Sequence, residues 1–321
     1  MQVTFKENLD FASVVGKIRA LSARLFTAGD WERLLTAKSG SDLMRLIAET
    51  HYGRIVSGED DFDKLSSKLV HNFLSEINEI EKMCPENYFL YYFKYKIDLG
   101  NIKKVLYGIL SKKDVTLYDG GLIPLEVLER FINNGEIELV KTLPYPWDIL
   151  KYIDEEPVLW TYYLEQAYLG GLIELSREYD YNLLESLIAT QIDLENFKIA
   201  LRIKTVNYPE KYREFFYKGG SIDIEKYIEL LSIPLKEWKG SDLIERLGLV
   251  ESLDDPILLE KVIDEKLINL LSISKYTAFG YEPVLDYFFR KEIEHRNILF
   301  LFSALEAHLP ADILRSGIRG L

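Results

Sequence analysis

The sequence has little of what secreted and membrane-spanning proteins are usually built with. Its 321 residues include one cysteine, Cys84, so no disulfide can form within the chain, which favours a reducing environment. Cys84 precedes Pro85 with no histidine nearby, and we predict an inert thiol. Apolar runs such as 298–302 are far shorter than the roughly 20 residues that span a bilayer. The first residues do not resemble a secretion signal, so we expect none.

Basic residues are also scarce. Lysine and arginine total 39 against 52 aspartates and glutamates, a formal net charge of −13. Nucleic acid requires a basic surface, so we predict no nucleic-acid partner. The acidic surplus favours a basic protein partner, or serves solubility alone.

No recognisable set of catalytic or metal-binding residues is present. The histidines have no His-x-x-x-His pair, and the one Glu-x-x-His, at 292–295, lacks the second copy that a di-iron bundle needs. There is no Gly-x-Ser-x-Gly elbow and no Gly-x-Gly-x-x-Gly turn. We therefore predict no catalytic residue, no metal site and no cofactor. For His295 a packing role is favoured over general-base chemistry. The histidines are His51, His71, His295 and His308.

An acidic segment at 57–63 allows two interpretations. It could bind a metal, as the Asp-rich motif of all-α terpene synthases does, but Lys64 interrupts the required spacing. A solvated first turn of a helix, where acids complement the helix dipole, is the favoured interpretation.

What the sequence does contain is a stretch that occurs three times, at 95–106, 190–201 and 291–302. In every copy an acid lies three positions before an asparagine, and aliphatic residues lie four before and four after that asparagine. On a helix this spacing puts acid and amide side by side within apolar rows. The pairs are Asp98 with Asn101, Asp193 with Asn196, and Glu294 with Asn297.

Three ligand or catalytic sites would be one interpretation of these acid–amide pairs. A buried structural network is favoured, because buried polar groups nearly always find protein partners. Moreover, an enzyme needs one active site, whereas a threefold repeat needs the same helix junction built three times.

Paired glycines mark the same period. The segments 117–126 and 216–225 align without a gap, and their glycines are Gly120 and Gly121 in one and Gly219 and Gly220 in the other. A phosphate-binding loop would need a following Gly-Lys-Ser/Thr, which neither has, so we predict a turn before a helix. A further mark, Gly-Ser-Asp-Leu, occurs at 40–43 and 240–243. These marks predict three repeat units, at 1–116, 117–215 and 216–321.

Hydrophobic periodicity between the marks is helical, so the predicted class is all-α. Prolines fall between the helical segments, where they are tolerated. A segment predicted at 159–179 contains Gly170 and Gly171, where we expect the helix to be interrupted. A helix is also predicted at 147–153.

The segments 292–298 and 309–313 together resemble the closing part of the C-type subunit, also called the d-type subunit, of rotary V-type and archaeal A-type ATPases. The segments 17–25 and 46–53 are similar to that family's opening helices. The resemblance extends from about residue 8 to about residue 315, and the family's threefold internal repeat matches the period found here.

The resemblance implies a funnel of three similar helical units around a pseudo-threefold axis. It implies a non-catalytic part of the central stalk that couples the central shaft, made of D/F-type subunits, to the membrane rotor ring during ATP-driven ion transport or ATP synthesis. The implied location is the cytoplasmic face of a membrane, peripheral and within the complex, with the isolated chain a monomer. Two other hypotheses stay open: an unrelated α-helical scaffold or adaptor, and an all-α enzyme with an apolar pocket.

Overall fold

The computed structural model describes residues 7–56, 61–135, 142–147, 157–206 and 215–320. Regular structure in these ranges is helical, without a strand, so the predicted all-α class is confirmed. The α-helices are α1 (Ala12–Ser22), α2 (Ala28–Leu34), α3 (Gly40–Ala48), α4 (Gly53–Val56), α5 (Phe62–Glu81), α6 (Tyr91–Ser111), α7 (Leu125–Asn134), α8 (Pro157–Glu178), α9 (Asn182–Val206), α10 (Ile224–Ser232), α11 (Asp242–Leu247), α12 (Pro256–Leu271), α13 (Glu282–Glu306) and α14 (Ala311–Gly317).

Short polar side chains fix several helix starts. Thr27 accepts the N–H of Asp30 while the Asp30 carboxylate accepts the N–H of Thr27, a complete capping box at the start of α2. Asp61 caps α5 and Asp255 caps α12 by accepting backbone N–H groups of the first turn. These caps satisfy donors that a helix start otherwise leaves without partners. At the start of α3, Ser39 accepts the N–H of Asp42, but the Asp42 carboxylate accepts the N–H of Lys38. Only half of a capping box therefore forms there.

The predicted interruption at Gly170 and Gly171 is wrong, since α8 runs unbroken from Pro157 to Glu178. Gly171 serves a close approach instead: a Cβ there would lie 2.7 Å from the Cβ of Pro146. The absence of a side chain lets the 142–147 segment pack onto the helix. The helix predicted at 147–153 lies almost entirely outside the described residues, as does the first part of the acidic segment at 57–63.

The chain divides into two compact units. We call residues 87–247 the central unit; in it α8 packs against α9 and α6, α7 packs on α6, and α10 packs on α9. We call residues 5–86 and 248–321 the terminal unit. Its core helix is α13, which contacts α1, α3, α5, α12 and α14. The division into three repeats stays a prediction.

Candidate functional site

The first acid–amide pair, on α6, binds the loop that follows the helix. Asn101 holds one residue by both of its backbone groups: its Nδ2 donates to the carbonyl of Tyr118 at 2.7 Å, and its Oδ1 accepts the N–H of Tyr118 at 2.9 Å. Asp98 accepts the N–H groups of Leu122 and Ile123 at 2.9 and 3.2 Å. We call such an acid, its amide and the groups that they bind a bracket.

The second pair, on α9, makes the same bracket. Asn196 exchanges two hydrogen bonds with the backbone of Tyr217, at 2.9 and 2.7 Å. Asp193 accepts the N–H groups of Ser221 and Ile222 at 3.1 and 3.0 Å. Both brackets of the central unit therefore tie the middle of a long helix to the start of the next short one.

The paired glycines are what let these loops approach. A Cβ on Gly121 would lie 1.9 Å from Oδ1 of Asp98, and one on Gly220 would lie 2.2 Å from Oδ1 of Asp193. The preceding glycines, Gly120 and Gly219, have φ values of 124° and 105°, which residues with side chains rarely adopt. The glycine pairs thus belong to the brackets.

The third pair, on α13, is completed by two segments from opposite ends of the chain. Asn297 exchanges two hydrogen bonds with the backbone of Arg319, at 2.9 and 3.0 Å. Glu294 accepts the backbone N–H of Phe26 and, at 2.7 Å, the hydroxyl of Tyr52. Residues near the C-terminus hold the amide, while residues near the N-terminus hold the acid.

The three acids bind equivalent positions. Ile123, Ile222 and Phe26 each donate their backbone N–H to the acid, and each is followed directly by the N-cap residue of a helix. Those helices are α7, α10 and α2. In each case the acid of a long helix, α6, α9 or α13, therefore holds the residue that precedes the N-cap of a short one.

Burial dominates the electrostatics of the acids. Desolvation raises the pKa of Asp98 to about 6, although the two backbone N–H donors act in the opposite direction. It also raises the pKa of Asp193. For Glu294, desolvation raises the pKa to about 7, against the lowering effect of the Phe26 N–H and the Tyr52 hydroxyl. Each acid accepts directed hydrogen bonds from backbone N–H groups, an arrangement suited to holding backbone in place.

Buried charge and aromatic rings surround the third bracket. The ammonium group of Lys291 and the hydroxyl of Tyr287 both bind the carboxylate of Glu76. The ring of His295 packs edge-on against Tyr52, and desolvation lowers its pKa well below the usual range, so the ring is neutral.

The sequence identified the acids, amides and glycines, but not their partners in the third bracket: Phe26, Tyr52 and Arg319. The N-cap residues that follow Phe26 and Ile123 lie 97 positions apart, close to the repeat period, but Thr27 and Pro124 differ in type and so do not mark it in the sequence. The four histidines were not expected to share a site. In the described ranges, no group of three His, Cys, Asp or Glu residues is arranged to hold a metal ion. Burial raises the pKa of Cys84 to about 12, as an inert thiol requires.

Known proteins are similar to this chain over nearly its whole length. The profile of the ATP synthase (C/AC39) subunit family matches residues 14–317. The chain belongs to this family.

Individual relatives are distant but matched nearly end to end. The chain is 22% identical to the C-type subunit of the A-type ATP synthase of Haloquadratum walsbyi, over 94% of this chain and 96% of that protein. It is 23% identical to the C-type subunit of the V-type sodium ATPase of Enterococcus hirae, with the same coverage. The corresponding A-type ATP synthase protein of Methanocaldococcus jannaschii is 22% identical, over 95% and 85%. In the described part of the chain, no helix has the length and apolar character needed to cross a bilayer.

Proposed function

We propose that the chain is the non-catalytic central-stalk subunit of a rotary V-type or A-type ATPase. It acts as a socket that couples the central shaft to the membrane rotor ring, at the cytoplasmic face of the membrane. Family membership over residues 14–317 supports the assignment of the chain to this ATPase complex. The observation that supports the mechanical role is that the acid of each bracket holds the residue before a helix start, which would join the predicted repeats in cyclic order.

A part that transmits torque must resist deformation at its joints. In the first two brackets, four hydrogen bonds from the acid and the amide fix a loop, and the third bracket has equivalent bonds. The acid and amide side chains are less than a tenth exposed. Buried hydrogen bonds in a low-dielectric interior are directional and costly to break. Such joints suit a rigid adaptor.

The last bracket closes the sequence of repeats. Because Glu294 of α13 accepts the N–H of Phe26 and the hydroxyl of Tyr52, the predicted third repeat is fastened to the first. A chain of three units with its ends fastened supports the pseudo-threefold funnel that the resemblance implies, with a hollow for the shaft. An open superhelical scaffold would not require a junction between its first and last repeats.

Reconstitution tests the proposal. An ATPase complex prepared without this chain should hydrolyse ATP but pump few ions, and adding the purified chain should restore ion pumping per ATP. A Glu294→Leu variant removes the acceptor that binds Phe26 and Tyr52, and it should restore less ion pumping per ATP than the unmodified chain, with circular dichroism melts to check the fold. Affinity purification of the tagged chain from native membranes should also recover shaft, ring and nucleotide-binding subunits. Recovery of none of these, or pumping that is complete without the chain, would contradict the proposal.

A further inference from the structure

A cavity of about 340 Å³ lies within the central unit, between α6, α8 and α9. Its wall contains Lys96 and Lys103 of α6, Glu165 of α8, and Lys198 and Arg202 of α9. Pockets that bind small molecules have volumes of about 300 to 1,000 Å³. The cavity is therefore large enough for a small ligand.

Its charge is opposite to that of the protein. The chain as a whole has a net charge of −13, but the cavity wall carries four cations against two carboxylates, Glu165 and Glu195. Lys103 pairs with Glu165 at 2.5 Å and Lys198 with Glu195 at 3.0 Å. Because cations outnumber carboxylates on this wall, the local field favours an anion.

The repeat explains why lysines converge here. Lys103 and Lys198 each lie two positions after the bracket asparagine of their helix, Asn101 and Asn196. Each lysine therefore lies at the same angle from the asparagine around its own helix, and both line this cavity. In the third copy this position is Leu299, so the basic pair occurs in the central unit alone.

A second cavity, of about 200 Å³, adjoins the first and is mostly apolar. The two share Glu165, Arg202 and Tyr217. Tyr162 stacks on Tyr217 with ring centroids 5.3 Å apart and planes 9° from parallel, and Phe215 meets Tyr162 edge-on at 5.7 Å. Ile199 and Ile203 complete the wall. This gives a flat apolar surface beside a basic one, with Arg202 at the boundary.

We propose that the two cavities form one binding site for a nucleoside di- or triphosphate. The phosphates would bind Arg202, and also Lys96, Lys103 and Lys198 alongside the interactions that these lysines already make, through charge-assisted hydrogen bonds. The base would lie against Tyr162 and the isoleucines, where stacking and apolar contact are favourable. The site goes beyond the proposed socket function and involves no catalysis. It would give the stalk a way to sense the nucleotide pool.

Isothermal titration calorimetry of the full purified chain tests this, with ATP, ADP, tripolyphosphate and adenosine as probes in magnesium-free buffer. We expect ATP to bind at least tenfold more tightly than either tripolyphosphate or adenosine, because only ATP fills both cavities. Arg202→Glu should weaken ATP binding at least tenfold. The matched control is Arg130→Glu, which makes the same charge change at an exposed position of α7, outside both cavities.

A second variant separates the apolar part. Tyr162→Leu should reduce ATP binding while leaving the weaker tripolyphosphate binding unchanged, with circular dichroism melts to check the fold. Failure of ATP to bind would overturn the proposal. So would equal binding of ATP and tripolyphosphate, which would mean a plain anion site, or equal losses in the Arg202 and Arg130 variants, which would mean non-specific attraction. None of these outcomes depends on assembly into the ATPase, so they leave the socket function untouched.

Discussion

Asn196 is fully buried, and its amide satisfies both the N–H and the carbonyl of Tyr217. Asn196→Leu would leave those two backbone groups without partners inside the protein. Each stranded group costs roughly 1 to 3 kcal/mol, so we expect a clear fall in melting temperature. Asn133→Leu, at an exposed position of α7, is the control. An unchanged melting temperature together with lost assembly would mean that Asn196 acts on a partner.

Two glycines of the first repeat should respond to alanine in opposite directions. Gly121→Ala forces a Cβ into the Asp98 carboxylate and should lower the free energy of unfolding by roughly 1 to 3 kcal/mol, the usual cost of overpacking. Gly100 lies inside α6 with open space around it, so Gly100→Ala should raise stability by roughly 1 kcal/mol through helix propensity. Chemical denaturation measures both. Two changes of the same sign would contradict the close-approach argument.

Glu294 should make stability depend on pH. Its pKa in the folded protein is about 7, above the ordinary 4.5. Between those values the folded state binds more protons than the unfolded state, so stability falls as pH rises from about 4.5 to 7. The full effect is on the order of 3 kcal/mol.

Glu294→Gln removes this titration while keeping an acceptor for the N–H of Phe26; its amide nitrogen can donate to the Tyr52 hydroxyl, the reverse of the bond that Tyr52 makes to Glu294. We therefore expect a flatter profile of unfolding free energy against pH in this window. The exposed Glu245→Gln should leave the slope as it is. A Glu294→Gln slope equal to that of the unmodified protein would show that Glu294 is ionised throughout.

At the scale of elements, the sequence predicted what is repeated within one continuous stretch. The acids and amides of the first two brackets have copies 95 positions apart, the glycine pairs have copies 99 positions apart, and helical periodicity located the helices around them. The third bracket was only half predicted. Its loop is split between Phe26 and Arg319, with no glycine pair, so the period has nothing to mark it. The predicted helix interruption at Gly171 was wrong for a related reason. The contact with Pro146 that this glycine permits is tertiary, and no local sequence pattern indicates it.

The central unit should fold alone, whereas the N-terminal part of the terminal unit should not. A fragment of residues 87–247 contains two complete brackets and the helices that they join, so we expect a helical, cooperatively melting protein. A fragment of residues 1–86 lacks α13, whose Ile298, Leu301 and Phe302 belong to the core that packs around Leu43. It should show little cooperative melting by circular dichroism. Cooperative unfolding of the shorter fragment and none of the longer one would contradict this division.

At the scale of the whole molecule, charge and shape have different tasks in a socket. With 52 acids against 39 bases, part of the surplus must face outward, and we expect it to be concentrated on the wall that receives a basic shaft. Charge would guide entry, and apolar contact would hold the seated state. Exposed charges are screened over about 8 Å at physiological ionic strength, whereas apolar burial in water does not depend on a screened field.

Association with the shaft subunits should therefore slow markedly as salt rises, while dissociation changes much less. Stopped-flow or surface-binding kinetics across a sodium chloride series measures both rates, and a matched sucrose series controls for viscosity. The slope of the association rate against ionic strength measures the strength of the electrostatic attraction between the two proteins before they touch. An association rate indifferent to salt would assign the acidic surplus to solubility, and recognition of the shaft would then depend on the shape of the hollow and on the rigidity that the three brackets give its wall.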